Sequence, residues 1–486
     1  MNKKIKNILL IIWVGFCFEA AAQEAAQAEQ AKSTQTQAAT ETTAAPVEEQ
    51  GFSADDVVIP VAPAPVAAPA AETALPAPVA APTAETALPA PVAAPATVLA
   101  PATQTPTAVP KPVAPQIAMP EDLASSMISV SRIRRLPANF TDVNTLCWNA
   151  TGTRLLVDRF RRRSYEVAEI DVPAVFSDTK LLPERILCDS VRDGQSLHYG
   201  NVCLLPGAGP QFLFTKQNAA SRDYMASMPQ NGWYCNLFVG LGQRQAVPLT
   251  QFMYSPTVPV GVSSPSASAD GKTVFWCGVK GRGKDKSIWG ERGLYIGNLV
   301  WNNRVPRLAN ITEISDGRIG SFRESCAISP DGSNVMYCAN RNNVPWFVMD
   351  LYVRNLKGDT IKCLAEGGWN RWGSYSPKGK KIIWSSSRGF SLPNMGLGGN
   401  RWQQELRSEL WVMTADGIDK KRLTYFNQRD ARDNLFLGLR PQDHCYVGAS
   451  AWNPNGRQVA VVIHFGARKK PTSMVVLMDL SDRMAK

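Results

Sequence analysis

Histidine is scarce in this chain: His198, His444 and His464 are the whole supply in 486 residues. No two of them are closely spaced, so no local metal-ligand pair is present. Neither His-Glu-x-x-His nor Gly-x-Ser-x-Gly occurs, which removes the zinc-peptidase and nucleophile-elbow readings. Cys-x-x-Cys is missing too, so the ten cysteines do not spell a redox or zinc motif. Long apolar runs are equally rare. The clearest, Ile8 to Phe18, is too short to span a bilayer comfortably. Lys3, Lys4 and Lys6 precede it and Ala20-Ala21-Ala22 follows, which predicts a secretory signal over residues 1–22. Phe16 stands before Cys17 where a lipobox needs a small residue, so lipidation is not expected. Membrane attachment follows only if the signal is retained.

Residues 23–118 lack the apolar and aromatic side chains a core needs, and a disordered linker is expected there. They are rich in Ala, Pro, Thr, Glu and Gln. A 13-residue repeat runs from Pro63 to Leu75 and again from Pro76 to Leu88. Proline at this density favours extended polyproline II, and the Pro-dense part would reach on the order of 150 Å. A spacer is the natural reading.

What is present from residue 119 onward is a repeated phrase: small or apolar residues, a turn ending in glycine, then an apolar strand-like run. Its clearest copy is Ala327-Ile328-Ser329-Pro330-Asp331-Gly332-Ser333-Asn334-Val335-Met336-Tyr337. Others centre on Gly152, Gly271, Gly379 and Gly456, with a weak one at Gly207. Pro presets φ, Asp bonds its own backbone and Gly takes positive φ, so each copy is a hairpin. A third strand follows several copies (Leu237-Phe238-Val239, Leu294-Tyr295-Ile296, Leu351-Tyr352-Val353, Leu410-Trp411-Val412-Met413). A fourth ends in a basic residue and leucine, as in Arg307-Leu308 and Arg422-Leu423. Four antiparallel strands make one propeller blade. The glycines are 55, 64, 61, 47 and 77 residues apart, whereas a bare blade needs about 40–50, so loops are inserted. The last blade shows three strands, and Ser129 to Leu136 supplies an orphan fourth. An all-β fold is therefore expected over residues 119–486: a six-bladed β-propeller of four-stranded blades, its closing blade shared between the two ends of the domain.

The Ser-Pro-Asp-Gly turns, the Leu-Tyr/Trp-Val third strands and the Arg-Leu-Thr fourth strand resemble the repeats of the TolB-like propeller family. That resemblance implies an exported protein of a bacterial periplasm or cell envelope. TolB itself carries a folded α/β domain before its propeller, and here low-complexity sequence stands in that place.

Charge narrows the functional reading. The chain carries +11 overall. The signal holds three lysines and Glu19, and the linker holds two lysines against nine acids, which leaves +16 for the propeller. Such a surplus points to acidic partners. Loops between second and third strands share a face with the interblade connections, and the basic residues concentrate there. The candidate ligand-binding set is Arg161, Arg162, Arg163, Lys280, Arg282, Lys284, Trp369, Arg371, Trp372, Arg401, Trp402 and Lys469. The expected partner is an envelope protein or an anionic polysaccharide or peptidoglycan component. Nucleic acid and cofactors are not expected, and the chain is expected to be monomeric and non-enzymatic. The alternative is a polysaccharide-active enzyme, similar to the oligogalacturonate lyases, with His198 and His444 near the central channel. His464 reads as a core residue. Cys277 and Cys338 each lie six residues after a turn glycine and read as buried small hydrophobes. Cys326 and Cys338 straddle one hairpin and are candidates for a disulfide.

Overall fold

The computed structural model describes residues 122–482 apart from 178, 190–195, 207–210, 243–244, 283–289, 315–318, 342–347, 394–404, 441 and 467–471. The expected signal and linker, the Gly207 turn and most of the insertion after Phe390 lie outside the described residues.

The first described strand is β1 (Ile128–Arg135), and blade after blade follows. Blade 1 holds β2 (Val143–Trp148), β3 (Arg154–Arg161), β4 (Ser164–Asp171) and β5 (Glu184–Cys188). Blade 2 holds β6 (Tyr199–Leu204), β7 (Phe212–Gln217), β8 (Cys235–Gly242) and β9 (Gln245–Pro248). Blade 3 holds β10 (Gly261–Ala267), β11 (Thr273–Gly281), β12 (Glu291–Asn302) and β13 (Val305–Glu313). Blade 4 holds β14 (Ile319–Ile328), β15 (Asn334–Arg341), β16 (Asp350–Asn355) and β17 (Ile361–Ala365). Blade 5 holds β18 (Asn370–Tyr375), β19 (Lys381–Ser386), β20 (Glu409–Thr414) and the two-residue β21 (Lys421–Arg422). Blade 6 holds β22 (Cys445–Trp452), β23 (Gln458–Phe465), β24 (Thr472–Asp482) and, outermost, β1.

The fold is thus the expected six-bladed propeller, and the orphan strand closes it. Antiparallel pairing runs from Ile128 opposite Asp482 to Arg135 opposite Val476, so the first strand covers the edge of the last. Buried apolar residues gather in clusters between neighbouring blades. Ile383, Leu410, Val447 and Val461 fill the seam of blades 5 and 6, and Val143, Leu146, Ala460 and Val462 fill that of blades 6 and 1. One short helix, α1 (Arg432–Leu437), lies in the connection from β21 to β22, where no helix was expected. No helix among the described residues is long and apolar enough to cross a membrane.

Two faces follow from the strand order. The glycine turns joining first to second strands lie on one, the turn face. The second-to-third-strand loops and the interblade connections lie on the other, the loop face. Gly152, Gly271, Gly332, Gly379 and Gly456 have φ between 69° and 71°. At Gly332, Ser329 Oγ bonds Asp331 and accepts from Asn334 N at 2.9 Å, which locks the turn. β1 starts at the turn face, where Lys378 and Lys380 of a blade 5 turn grip Asp122 at 2.9 and 2.7 Å.

Between the faces runs a belt that periodicity did not show. Every inner strand carries a β-bulge: Val143/Leu146, Gly200/Cys203, Ser263/Ser266, Ser325/Ala327, Arg371/Ser374 and Val447/Ser450. Asn201, Ser264 and Trp372 sit in these bulges with φ of 54°, 50° and 52°. The position six residues after the turn glycine holds Asp158, Cys277, Cys338 and Ser385 in blades 1, 3, 4 and 5. These are buried, as expected of Cys277 and Cys338; those of blades 1, 3 and 5 also bond the inner strand of the next blade, whereas Cys338 bonds that of its own. Asp158 accepts from Thr145 N and, across the seam, from Asn201 N at 2.6 Å. Cys277 Sγ donates to Arg323 O at 3.1 Å, Cys338 Sγ to Glu324 Oε2 at 3.6 Å, and Ser385 Oγ to Val447 O at 2.7 Å. Cys326 and Cys338 are both free thiols.

Candidate functional site

The loop face of blade 1 is a two-residue hairpin whose tip is Arg162-Arg163. Both are exposed, with φ of 51° and 91°. Such tips normally take Asn-Gly, because a side chain at positive φ is strained. Arg161 is half-buried and shares Glu166 and Glu184 at 3.4 and 3.5 Å. Beneath it the buried Arg159 grips Glu184 at 2.7 and 2.9 Å, which holds that carboxyl below the usual range. The hairpin tip is buttressed by the blade 2 loop 218–234, from which Tyr224 Oη donates to Arg163 O. Nothing in the composition of that loop marked it as part of a basic face.

The remaining predicted residues divide. Lys280 is exposed but bound to Glu313 at 3.0 Å. Arg282 is exposed, its guanidinium 5.5 Å from the Trp233 ring. Lys284, Arg401, Trp402 and Lys469 lie outside the described residues. Trp369 and Arg371, expected on an open rim, are buried at 1% and 4% exposure, because Trp369 packs in the core with Phe322, Met349 and Trp384 and Arg371 turns inward to Glu324. Trp369, Arg371 and Trp372 do come together, as a stack. The Arg371 guanidinium lies 4.8 Å from one indole and 4.4 Å from the other, and Arg371 Nε donates to Glu324 Oε2 at 2.6 Å. The charge of Arg371 is therefore already engaged inside the ring.

His198 and His444 are both buried and neither lines the central cavity. His198 Nδ1 accepts from Tyr165 N at 3.1 Å, and burial lowers its pKa to about 4. A neutral imidazole packed 4.3 Å from the Tyr224 ring is a structural part of the loop face. His464 is nearer the surface than expected: half-buried, stacked 4.6 Å from Tyr446, with Nδ1 3.5 Å from Asp142 Oδ1. Among the described residues no group of three or more His, Cys, Asp or Glu is arranged to hold a metal ion.

Along the ring axis lies a cavity of about 430 Å³. It runs from the belt, at Asn144, Asn201, Ser264, Glu324 and Trp372, down to Ala269, Pro330, Pro377 and Pro454 at the turns. Asp158 borders the belt just outside it, and burial raises its pKa to about 6 despite bonds from Asn144, Thr145 and Asn201.

No protein-family model matches the chain, and no curated protein matches it. Solved structures do. TolB from Acinetobacter baumannii is 14% identical, with a TM-score of 0.38, over 57% of this chain and 53% of that one, so the match spans about half the length of that protein. A putative TolB from Agrobacterium tumefaciens is 16% identical, with a TM-score of 0.38, over 62% of this chain and 84% of that one. An oligogalacturonate lyase in complex with manganese is 13% identical, with a TM-score of 0.40, over 74% and 96%. The propeller is similar to these in architecture, and the six-bladed ring itself rests on the strand pairing described above.

Proposed function

We propose that the chain is an exported cell-envelope binding protein, and that its loop face takes an anionic polymer or an acidic protein surface. The observation that carries this is the Arg162-Arg163 tip. Two exposed arginines occupy backbone conformations that cost roughly 1–2 kcal/mol each relative to glycine, and strain of this kind gathers at functional positions. Arg282 extends the same face, and the propeller surplus of +16 supplies the long-range field.

The test is retention on immobilised anionic envelope polymers. Arg162→Glu with Arg163→Glu, which leaves the paired Arg161 alone, should lose most retention at low salt, and wild-type retention should fall steeply between about 0.05 and 0.3 M salt. Unchanged retention of the double variant at low salt would overturn the reading. The enzymatic alternative gains no support from His198 and His444, which stand apart from the cavity that a channel site would use.

A further inference from the structure

Cys326 and Cys338 stand on adjacent strands of blade 4 and share one neighbour. Cys326 Sγ donates to Glu324 O at 3.8 Å, and Cys338 Sγ donates to Glu324 Oε2 at 3.6 Å. The strand register explains the approach. Glu324 is directly opposite Cys338, and the ladder then steps from the pair Ser325–Tyr337 to the pair Ala327–Met336. Cys326 is therefore the extra residue of a bulge, beside the strand that carries Cys338. Burial first, and then the adjacent Cys326 thiol, push the Cys338 thiol well above the usual thiol range. The two differ in access. Cys338 is fully buried, whereas Cys326 is half-buried and lines the axial cavity. Cys147 and Cys203 line the same cavity but belong to blades 1 and 2. Joining those would couple two sheets, whereas joining Cys326 to Cys338 stays within one hairpin.

We propose that Cys326 and Cys338 are a redox site, closed reversibly to a disulfide by a small oxidant of the peroxide class that enters the axial cavity. Access sets the order of attack. Cys326 Sγ attacks one peroxide oxygen: the O–O bond breaks, an S–O bond forms, and the departing hydroxide leaves as water with the Cys326 proton. Cys338 Sγ then attacks the sulfenic sulfur: the S–O bond breaks, an S–S bond forms, and the second hydroxide leaves as water with the Cys338 proton. Two thiols are oxidised and one peroxide is reduced to two waters. A thiol reductant reopens the bond. Closure withdraws Cys338 from the Glu324 carboxylate, which then keeps Arg371 and Ser264. The site makes no use of the loop face and stands or falls without it.

The test treats the full-length protein with hydrogen peroxide, alkylates the remaining thiols in denaturant and maps tryptic peptides by mass spectrometry. Peptide 324–341 holds both cysteines. It should take up no alkylating group and run about 2 Da below its dithiol form, and dithiothreitol should restore it. The exposed Cys363 reports that the oxidant dose sufficed. Cys338→Ser should leave Cys326 as a sulfenic acid that dimedone labels, whereas Cys326→Ser should leave Cys338 fully open to alkylation at the same dose. Should a serine variant not fold, the wild-type map carries the test alone. The inference fails if both thiols stay free at a dose that oxidises Cys363, if Cys326 joins a different cysteine, or if Cys338 is oxidised as readily in Cys326→Ser as in wild type.

Discussion

The glycine turns of the repeat and the tip of blade 1 both bend the backbone to positive φ, but they use different residues to do it. On the turn face the five described repeat turns use glycine, with φ of 69° to 71°. On the loop face the tip of blade 1 uses Arg162 and Arg163, at 51° and 91°. Glycine adopts the conformation without strain and contributes nothing to contact. Arginine adopts it under strain and places a guanidinium in solvent. The repeat turns are thus organised for closure, while strained tips that expose charge occur on both faces: Asn303-Arg304, the exposed tip between β12 and β13 on the turn face, has φ of 47° and 68°. The belt of inner-strand bulges lies between them and serves both.

That shared belt is where a single substitution should disturb both faces most. Glu324 receives Arg371 Nε at 2.6 Å and Ser264 Oγ at 3.3 Å, joining blades 3, 4 and 5 at the axis. Both partners of the ion pair are about 5% exposed. Glu324→Ala would leave the guanidinium buried without its carboxylate, a loss of about 3–5 kcal/mol. Chemical denaturation should show that drop, and retention on anionic polymer should fall with it. If the variant melts like wild type, the belt is not what holds the faces together.

A smaller effect is expected at the opposite seam, through pH. Burial raises Asp158 from 3.8 to about 6. A carboxyl whose folded pKa is raised favours folding below its unfolded pKa, and that contribution is lost as pH climbs through the folded value. The Asp158 share should be full below the ordinary value of 3.8, fade as pH rises through about 6 and stay flat above that. A rise of this size corresponds to about 3 kcal/mol as an upper scale. Glu184, held low by Arg159, works in the opposite sense: its contribution is present above the ordinary glutamate range and lost in acid. The difference between wild type and Asp158→Asn across pH 4–7 therefore isolates the seam. A difference that does not vary with pH would mean that Asp158 does not titrate with folding.

Periodicity made the ring legible because four-stranded blades repeat a turn whose chemistry is local. Pro330, Asp331 and Gly332 specify a hairpin whatever surrounds them, and β1 announced itself as a strand without a blade. The position six after each glycine could be read as equivalent. Its role could not, because Asp158 and Cys277 meet their partners across a seam, on a neighbouring blade. The bulges were invisible for the same reason: a tryptophan at φ 52° leaves no trace in composition. Counting charge suggested a basic face but could not tell the exposed Arg162 from the buried, paired Arg371. The loop at 218–234 and α1 carry no repeat and so gave no signal.

The least change in stability is expected at the turns and the tip, where the two kinds of turn differ most directly. A Cβ built at Gly332 meets nothing within 4 Å, so Gly332→Ala reports backbone strain free of collision. It should cost about 1–2 kcal/mol. On the loop face the reverse exchange, Arg162→Gly with Arg163→Gly, should relieve strain of similar size. Added freedom of the unfolded chain takes back about 0.4–1 kcal/mol per glycine, so the net is a stabilisation of at most ~1–2 kcal/mol. The double variant should nevertheless lose retention on anionic polymer, because its guanidinium groups are gone. Opposite signs in thermal melts of the two variants, with binding lost only in the second, would mean that one backbone conformation serves closure on one face and recognition on the other. If the arginine-to-glycine variant is instead destabilised, the tip is not strained in the folded protein, and its backbone no longer points to a function.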